Sequence, residues 1–342
     1  MRGHSMRGHI LSFLLTLVIL SSLLAGCAQS SADAEEYEFT IGVSINSLRS
    51  PYMIALSQGI TETGEELGIR MIVSESNGDI QTQANQVLDF IVQDVDAVLI
   101  EPLDAEASAA LVDRVTEAGI PVFCIDTSSE SDNVVCWVGA DSYEMGQLAA
   151  EYIVEALYEK YGAYEGKVVD LLASLTTTSG SLRTQGFHDV IDQYPDIEVV
   201  ATQNGGLDLD TAMDAMTDIL QANPDIDAVW CSGDTNAQGA LQALKRAGML
   251  YTTEEEDHII LVSADGAPES LEAIAEGYLD ACISQNPIGE GEAAVEIIYE
   301  YLTEGTLPDE LFYSYPLFTI TAENLDSEEL EEYGIWAYEI EY

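Results

Sequence analysis

Basic residues are scarce in this chain. Ten Lys and Arg stand against 62 Asp and Glu in 342 residues, a formal net charge of −52. Arg2 and Arg7 precede every acid, so beyond Gly26 eight of those ten cations face all of the carboxylates. A field of that sign repels phosphate backbones and anionic lipid head groups, which argues against a nucleic-acid partner. Cysteines are few as well, five in all, with no C-x-x-C and no Cys/His cluster. His188 and His258 have no partners at metal-ligand spacing, so no metal site is expected. The chain has no G-x-x-x-x-G-K-[ST] loop to cradle a phosphate, no H-E-x-x-H and no G-x-S-x-G nucleophile turn. These absences point away from an ATPase, a zinc hydrolase and a serine hydrolase, and no cofactor is implied.

What is present is apolar content of 47% with nine Pro and 26 Gly, the composition of a folded protein long enough for two domains with separate cores. The acid excess reads as a solvated surface. At the amino terminus Arg2 and Arg7 precede an apolar run, Ile10 to Leu24, too short to span a bilayer but suited to a signal-peptide core. The run ends in Leu24-Ala25-Gly26-Cys27, which resembles a bacterial lipobox. That resemblance implies cleavage before Cys27 and diacylation of its thiol, with residues 1–26 as signal peptide and 27–36 as a polar, acidic tether. Cys124, Cys136, Cys231 and Cys282 fall inside expected strands and read as small buried hydrophobes. A Cys124–Cys136 disulfide on sequential strands is left open.

The stretch Ile41 to Gly59 sets the pattern for the rest. A β-branched apolar run predicts a buried strand, Asn46 to Ser50 a polar loop, and Pro51 opens a segment with helical apolar spacing. The alternation recurs, with strands near Arg70–Ser74, Ala97–Ile100, Pro121–Ile125 and Val134–Val138. Helices are expected over Ile80–Gln93 and Ala107–Ala118. A second series begins at Asp141, a candidate cap for a helix over Tyr143–Tyr161. Its strands lie near Lys167–Leu172, Glu198–Thr202, Ala228–Cys231, Ile259–Ala264 and Ala281–Ser284, and its helices at Ser181–Gln193, Asp210–Gln221, Asn236–Ala247 and Glu269–Glu276. A last helix, Gly289–Thr303, and a strand-like Leu311–Ile320 follow. The expectation is an α/β protein of two doubly wound parallel-sheet lobes joined by a three-strand hinge. Lobe 1 takes residues 37–140 and 286–316, and lobe 2 takes 141–285 and 317–342.

Several spaced motifs resemble the type I periplasmic sugar-binding proteins, the ribose-binding group in particular. They are SPYM (50–53), VDAVLIEPLDAEA (95–107), AGIPVFCIDT (118–127), GADSYEMGQLAAEYI (139–153), SLRTQGF (181–187), NPDIDAVWCSGDTNAQGAL (223–241), VSADGAP (262–268) and ISQNPIGEG (283–291). The similarity spans roughly Phe39 to Asp326. The resemblance implies two lobes that close over a sugar, and it implies roles for particular residues. Asp126 matches a carboxylate that accepts from two hydroxyls, and Arg183 an arginine that donates a fork to ring or hydroxyl oxygens. Asp265 and Gln285 match an acceptor and an amide from the second lobe and its hinge. Planar side chains suit vicinal hydroxyls because one group bonds two neighbours at once. Taken singly, a strand-end Asp is a turn former and Arg183 one partner for many acids. Their order along successive strand ends carries the joint reading.

Tyr52 is the candidate to stack on a sugar face, while Trp137 and Trp230 read as core. Departures from the ribose group are informative. Met53 and Leu207 stand where that group has aromatics, Ser50 and Gly233 replace asparagines, Thr127 an arginine and Glu101 an asparagine, so ribose itself is in doubt. Asp234 or Asn236 is expected to supply the missing polar contact. The candidate ligand set is therefore Ser50, Tyr52, Glu101, Asp126, Arg183, Asp234, Asp265 and Gln285. The expected protein is a monomeric, non-enzymatic substrate-binding protein held on the extracytoplasmic membrane face by lipid on Cys27. It would take a monosaccharide or small polyol and deliver it to an ABC permease served by a separate ATPase. The alternatives are a ligand subunit of a sugar sensor or chemoreceptor, and an exported sugar-acting enzyme using Asp126 and Asp265 as paired carboxylates.

Overall fold

The computed structural model describes residues 37–328 together with Leu330 and Trp336. The signal peptide, Cys27 and the tether expected over residues 1–36 lie outside the described residues. No helix among the described residues is long and apolar enough to cross a membrane.

Two six-stranded sheets organise the chain. The first contains β1 (Thr40–Ile45), β2 (Arg70–Glu75), β3 (Ala97–Ile100), β4 (Val122–Ile125), β5 (Val134–Ala140) and β11 (Phe312–Tyr315), in the order β11-β5-β4-β3-β1-β2. The second contains β6 (Gly166–Leu172), β7 (Ile197–Asn204), β8 (Ala228–Cys231), β9 (Ile260–Asp265), β10 (Ala281–Ser284) and β12 (Phe318–Thr321), in the order β12-β10-β9-β8-β6-β7. Every pairing is parallel except that of β12 with β10. Strands covered on both faces need no alternation, and β3, β4, β8 and β10 are buried at every position. The two α/β lobes thus repeat one winding, each with a switch point beside its first strand, between β1 and β3 and between β6 and β8.

Nine helices among the described residues cover the sheets: α1 (Pro51–Glu66), α2 (Ile80–Val92), α3 (Ala105–Glu117), α4 (Ser142–Tyr161), α5 (Thr178–Ile191), α6 (Leu209–Ala222), α7 (Asp234–Ala247), α8 (Pro268–Ala275) and α9 (Pro287–Glu304). Side chains just past strand ends start most of them. Ser50, Asp79, Asp104, Thr177, Asp208 and Asn286 each accept from the backbone N–H three residues on. Asp141 caps α4 through the N–H groups of Tyr143 and Glu144. These caps explain where the observed bounds differ from the apolar pattern. The Thr177 cap starts α5 at Thr178, ahead of its first apolar residue, and α7 opens at Asp234 behind Gly233.

The chain passes between sheets three times: from β5 into α4 and β6, from β10 into α9, and from β11 to β12. The strand-like stretch Leu311–Ile320 forms two strands, one in each sheet, because Pro316 has no N–H for a ladder and sits at the expected crossing, where the chain leaves one sheet for the other. The four cysteines are buried and free. Cys136 lies opposite Phe123 in register while Cys124 lies opposite Trp137. Successive side chains alternate faces, so the two thiols sit on opposite sides of the sheet and in different core clusters, and no disulfide can join them.

Candidate functional site

The carboxyl ends of both sheets face a common cleft, and two strained aspartates mark it. Asp126 follows β4 and Asp265 closes β9, the fourth parallel strand of each series. Both hold left-handed backbone, φ 59° and 81°, where only Asn, Asp and Gly sit at modest cost. Such outliers concentrate where the surroundings fix a side chain for a task.

Arg183, on the buried side of α5, carries the polar centre. Its Nη1 donates to the Ser232 carbonyl at 2.6 Å and to Asp265 Oδ1 at 3.1 Å. The same Asp265 oxygen accepts from Gln285 Nε2 at 2.8 Å, and Oδ2 accepts from the Asp234 N–H at 3.4 Å. From the first lobe, Tyr52 brings its hydroxyl within 3.2 Å of Asp126 Oδ1 and 2.9 Å of Glu290 Oε2. Burial raises the Asp126 carboxyl to about 6 although the nearby Arg183 charge opposes the rise. Burial, then the charge of Asp126, pushes Glu290 well above the usual carboxylate range. Arg183 stays protonated, since Asp265 and Asp126 outweigh the burial that disfavours its charge.

Five of the eight sequence-based candidates, Tyr52, Asp126, Arg183, Asp265 and Gln285, therefore share one cluster. The other three are engaged in their own loops. Ser50 caps α1 by accepting from Met53 N–H at 3.2 Å. Glu101 is buried and straps the β1 loop, accepting from the Asn46 N–H at 2.7 Å and from the Asn46 amide. Burial foremost, then Asp126, raises its carboxyl well above the ordinary range. Asp234 accepts from the Ala267 N–H at 2.5 Å and from the Ser270 hydroxyl, which caps α8 where Ala267 has no side chain to do so. Asn236 donates to the Gly206 carbonyl at 3.1 Å.

Two participants, Glu290 and Trp336, were not singled out from the sequence, and a third, Thr127, was noted only as a departure from the ribose group. Glu290 lies in the first turn of α9, one turn after Gln285, and looks like any acid in an acidic helix start. Trp336 sits beyond the last motif. Its indole N–H donates to the Asp265 carbonyl at 3.0 Å, and its ring meets Tyr52 edge-on at 6.3 Å. Thr127 reaches the other lobe, its hydroxyl accepting from the N–H groups of Thr178 at 3.0 Å and Ser179 at 3.4 Å. The Thr178 hydroxyl returns a bond to the Ser128 carbonyl at 2.9 Å, and Ala105 N–H donates to the Thr176 carbonyl at 3.0 Å. These bonds join the loops after β3 and β4 to the start of α5, so the lobes touch. No cluster of three or more metal-ligating side chains occurs among the described residues.

The chain matches the family described as the periplasmic binding protein domain over residues 41–306. It is 32% identical over 292 residues to the ribose import binding protein RbsB of Bacillus subtilis, covering 83% of this chain and 90% of that protein. A solved ABC transporter solute-binding protein of Bacillus halodurans with bound myo-inositol superposes with a TM-score of 0.77 at 27% identity, covering 87% of this chain and 99% of that one. The fructose-binding periplasmic domain of a hybrid two-component system does so with a TM-score of 0.77 at 26% identity, over 86% and 94%. Matching winding, cleft and sequence together, the chain belongs to the type I periplasmic sugar-binding protein family, whose members are binding proteins and not enzymes.

Proposed function

We propose that the protein is the substrate-binding subunit of an ABC importer, lipid-anchored through Cys27 on the extracytoplasmic face, and that it takes a monosaccharide or small polyol between its lobes. The observation that carries this reading is the convergence of Arg183, Asp265 and Gln285 from one lobe and hinge with Tyr52 and Asp126 from the other. A hydroxylated guest bonded from both sides stabilises the closed arrangement by the difference between its contacts there and in an open one. The lobes rotate about the three crossings, and the closed form docks as a monomer on the permease while a separate ATPase supplies the work. The relatives named as import binding proteins support delivery to a permease. The fructose-binding domain of the hybrid two-component system favours a second reading, in which closure is passed to a sensor kinase.

Asp126, Arg183, Asp265 and Gln285 bond the ligand, Tyr52 lines its face, and Ser50, Glu101 and Asp234 hold the loops that present them. A thermal-shift screen over pentoses, hexoses, polyols and nucleosides tests the assignment, because a ligand held only by the folded protein raises its melting temperature. One stabilising class is expected, and a flat response across the panel would refute the proposal. Labelling of wild type but not Cys27→Ala by a fatty-acid analogue tests the anchor.

A further inference from the structure

The cleft is short of positive charge in a specific place. Asp265 is answered by Arg183 and Gln285. Among the described residues Asp126 and Glu290 have no basic side chain in hydrogen-bond contact, and both approach one tyrosine hydroxyl. That hydroxyl carries a single proton and can donate to one carboxylate at a time. The two acceptor oxygens can be no further apart than their two distances to the tyrosine oxygen combined, 3.2 and 2.9 Å. Glu290 is fully buried, and among the described residues its other oxygen, Oε1, has no hydrogen-bond partner. Nor does Arg183 Nε, on a side chain 9% exposed. A buried carboxylate oxygen and a buried guanidinium N–H left open on the same cluster ask for a donor beside Glu290 and an acceptor beside Arg183.

Among the described residues the one positive charge that acts on the two acids is Arg183, already bonded to Asp265. The groups acting on Glu290 are Asp126, Tyr52, Arg183 and Asp265, with the Tyr315 hydroxyl packed by Gly289. Asp126 also bears on a fourth carboxylate, Glu101 in the loop after β3, and helps to raise it. Thr127, the residue next to Asp126, uses its hydroxyl to cap α5 and brings no charge. A bare metal ion does not fit, since no group of three or more ligating side chains occurs among the described residues.

We infer that the ligand is an amino sugar or amino polyol, its ammonium seated between Asp126 and Glu290 and a hydroxyl or ring oxygen turned to Arg183. This deepens the proposed sugar-binding role and rests on it. An ammonium brings three donors and a positive charge, supplying both the missing proton to Glu290 Oε1 and the compensation that two facing carboxylates lack. Burial of both acids strengthens the attraction, and a neutral polyol must instead bind with one carboxyl protonated.

The test is calorimetric titration with matched pairs: glucose against its 2-, 3- and 6-amino-deoxy derivatives, galactose against galactosamine, and sorbitol against glucamine. At least one amine should bind about tenfold to a hundredfold more tightly than its neutral partner at pH 7. Glu290→Gln should erase that preference, bringing the affinities for an amine and its neutral partner together. Because that variant can also disturb folding, proton exchange in wild type gives an independent reading. Repeating the titration in buffers of different ionisation enthalpy should show a proton released when the amine binds and not when its neutral partner does. Saturable binding of neutral sugars with no amine preference and no proton release would overturn this inference and leave the sugar-binding role standing. Absence of binding by any compound of a panel widened to pentoses and inositols would overturn both.

Discussion

Replacing Arg183 by methionine should cost the protein both stability and ligand, by amounts its contacts set. The guanidinium is nearly sealed and holds two acceptors, the Ser232 carbonyl at 2.6 Å and Asp265 at 3.1 Å. Methionine fills most of the aliphatic volume and removes both bonds. Asp265 is then left with Gln285, and the Ser232 carbonyl loses this bond. Breaking one side of a buried ion pair costs about 3–5 kcal/mol. Because the Asp265 side chain keeps 16% of its surface, about 3 kcal/mol is the better figure. For a unit spanning Phe39–Tyr342 that lowers the melting temperature by about 5 °C. A ligand bonded by the same fork loses about 1.5–3 kcal/mol, or about 10- to 150-fold in Kd. Arg183→Lys should fall between, restoring charge without the planar fork. Scanning calorimetry and titration with the ligand from the screen measure the two effects. A methionine variant that melts with wild type and binds as tightly would refute the claim that Arg183 sits at the junction of core and cleft.

The Asp126 carboxyl, raised from 3.8 to about 6, favours its protonated form in the folded state, so its contribution is complete below pH 3.8 and is lost as pH rises through 6. Asp126→Asn, which tolerates the left-handed backbone, should therefore melt above ligand-free wild type at pH 7.5 and lose that advantage near pH 4.5, as followed by fluorimetric melting. Thr127→Ala removes the cap that α5 receives from the opposite lobe. It should weaken closure by about 1 kcal/mol, visible as a roughly fivefold faster ligand off-rate in stopped flow with little change in melting temperature. Gly146 on α4 has no room for a Cβ, which would fall on the Arg183 carbonyl oxygen of α5. Gly146→Ala should destabilise by about 1–3 kcal/mol in denaturant titration and weaken binding through displacement of Arg183.

The winding of the two lobes was legible because buried parallel strands and amphipathic helices alternate with little ambiguity, and the helix starts carry their own caps. Asp126, Asp265 and Gln285 could be placed together because each ends or follows a strand whose carboxyl end faces the cleft, whereas Arg183 reaches them from inside α5. The crossing beside Pro316 was legible as a change of lobe, but the bounds of the two short strands on either side were not, since the flanking residues all favour strand. Glu290 was hidden by composition: among so many acids, nothing in the local pattern separates a sealed carboxylate from a solvated one. Trp336 was hidden by distance, lying 71 residues from the Asp265 carbonyl that it bonds. The expectation that Asp234 offers a polar contact rested on its neighbour Gly233. The structure turns both carboxylate oxygens to the start of α8, a need that arises only because Ala267 cannot cap.

The most direct test of the central claim is a titration of wild type, Asp126→Ala and Gln285→Ala with the ligand found in the screen. One molecule per chain should bind wild type, and each single change, one from either side of the cleft, should weaken it by tenfold or more without product forming. Undiminished binding in either variant would contradict a guest held jointly by both lobes.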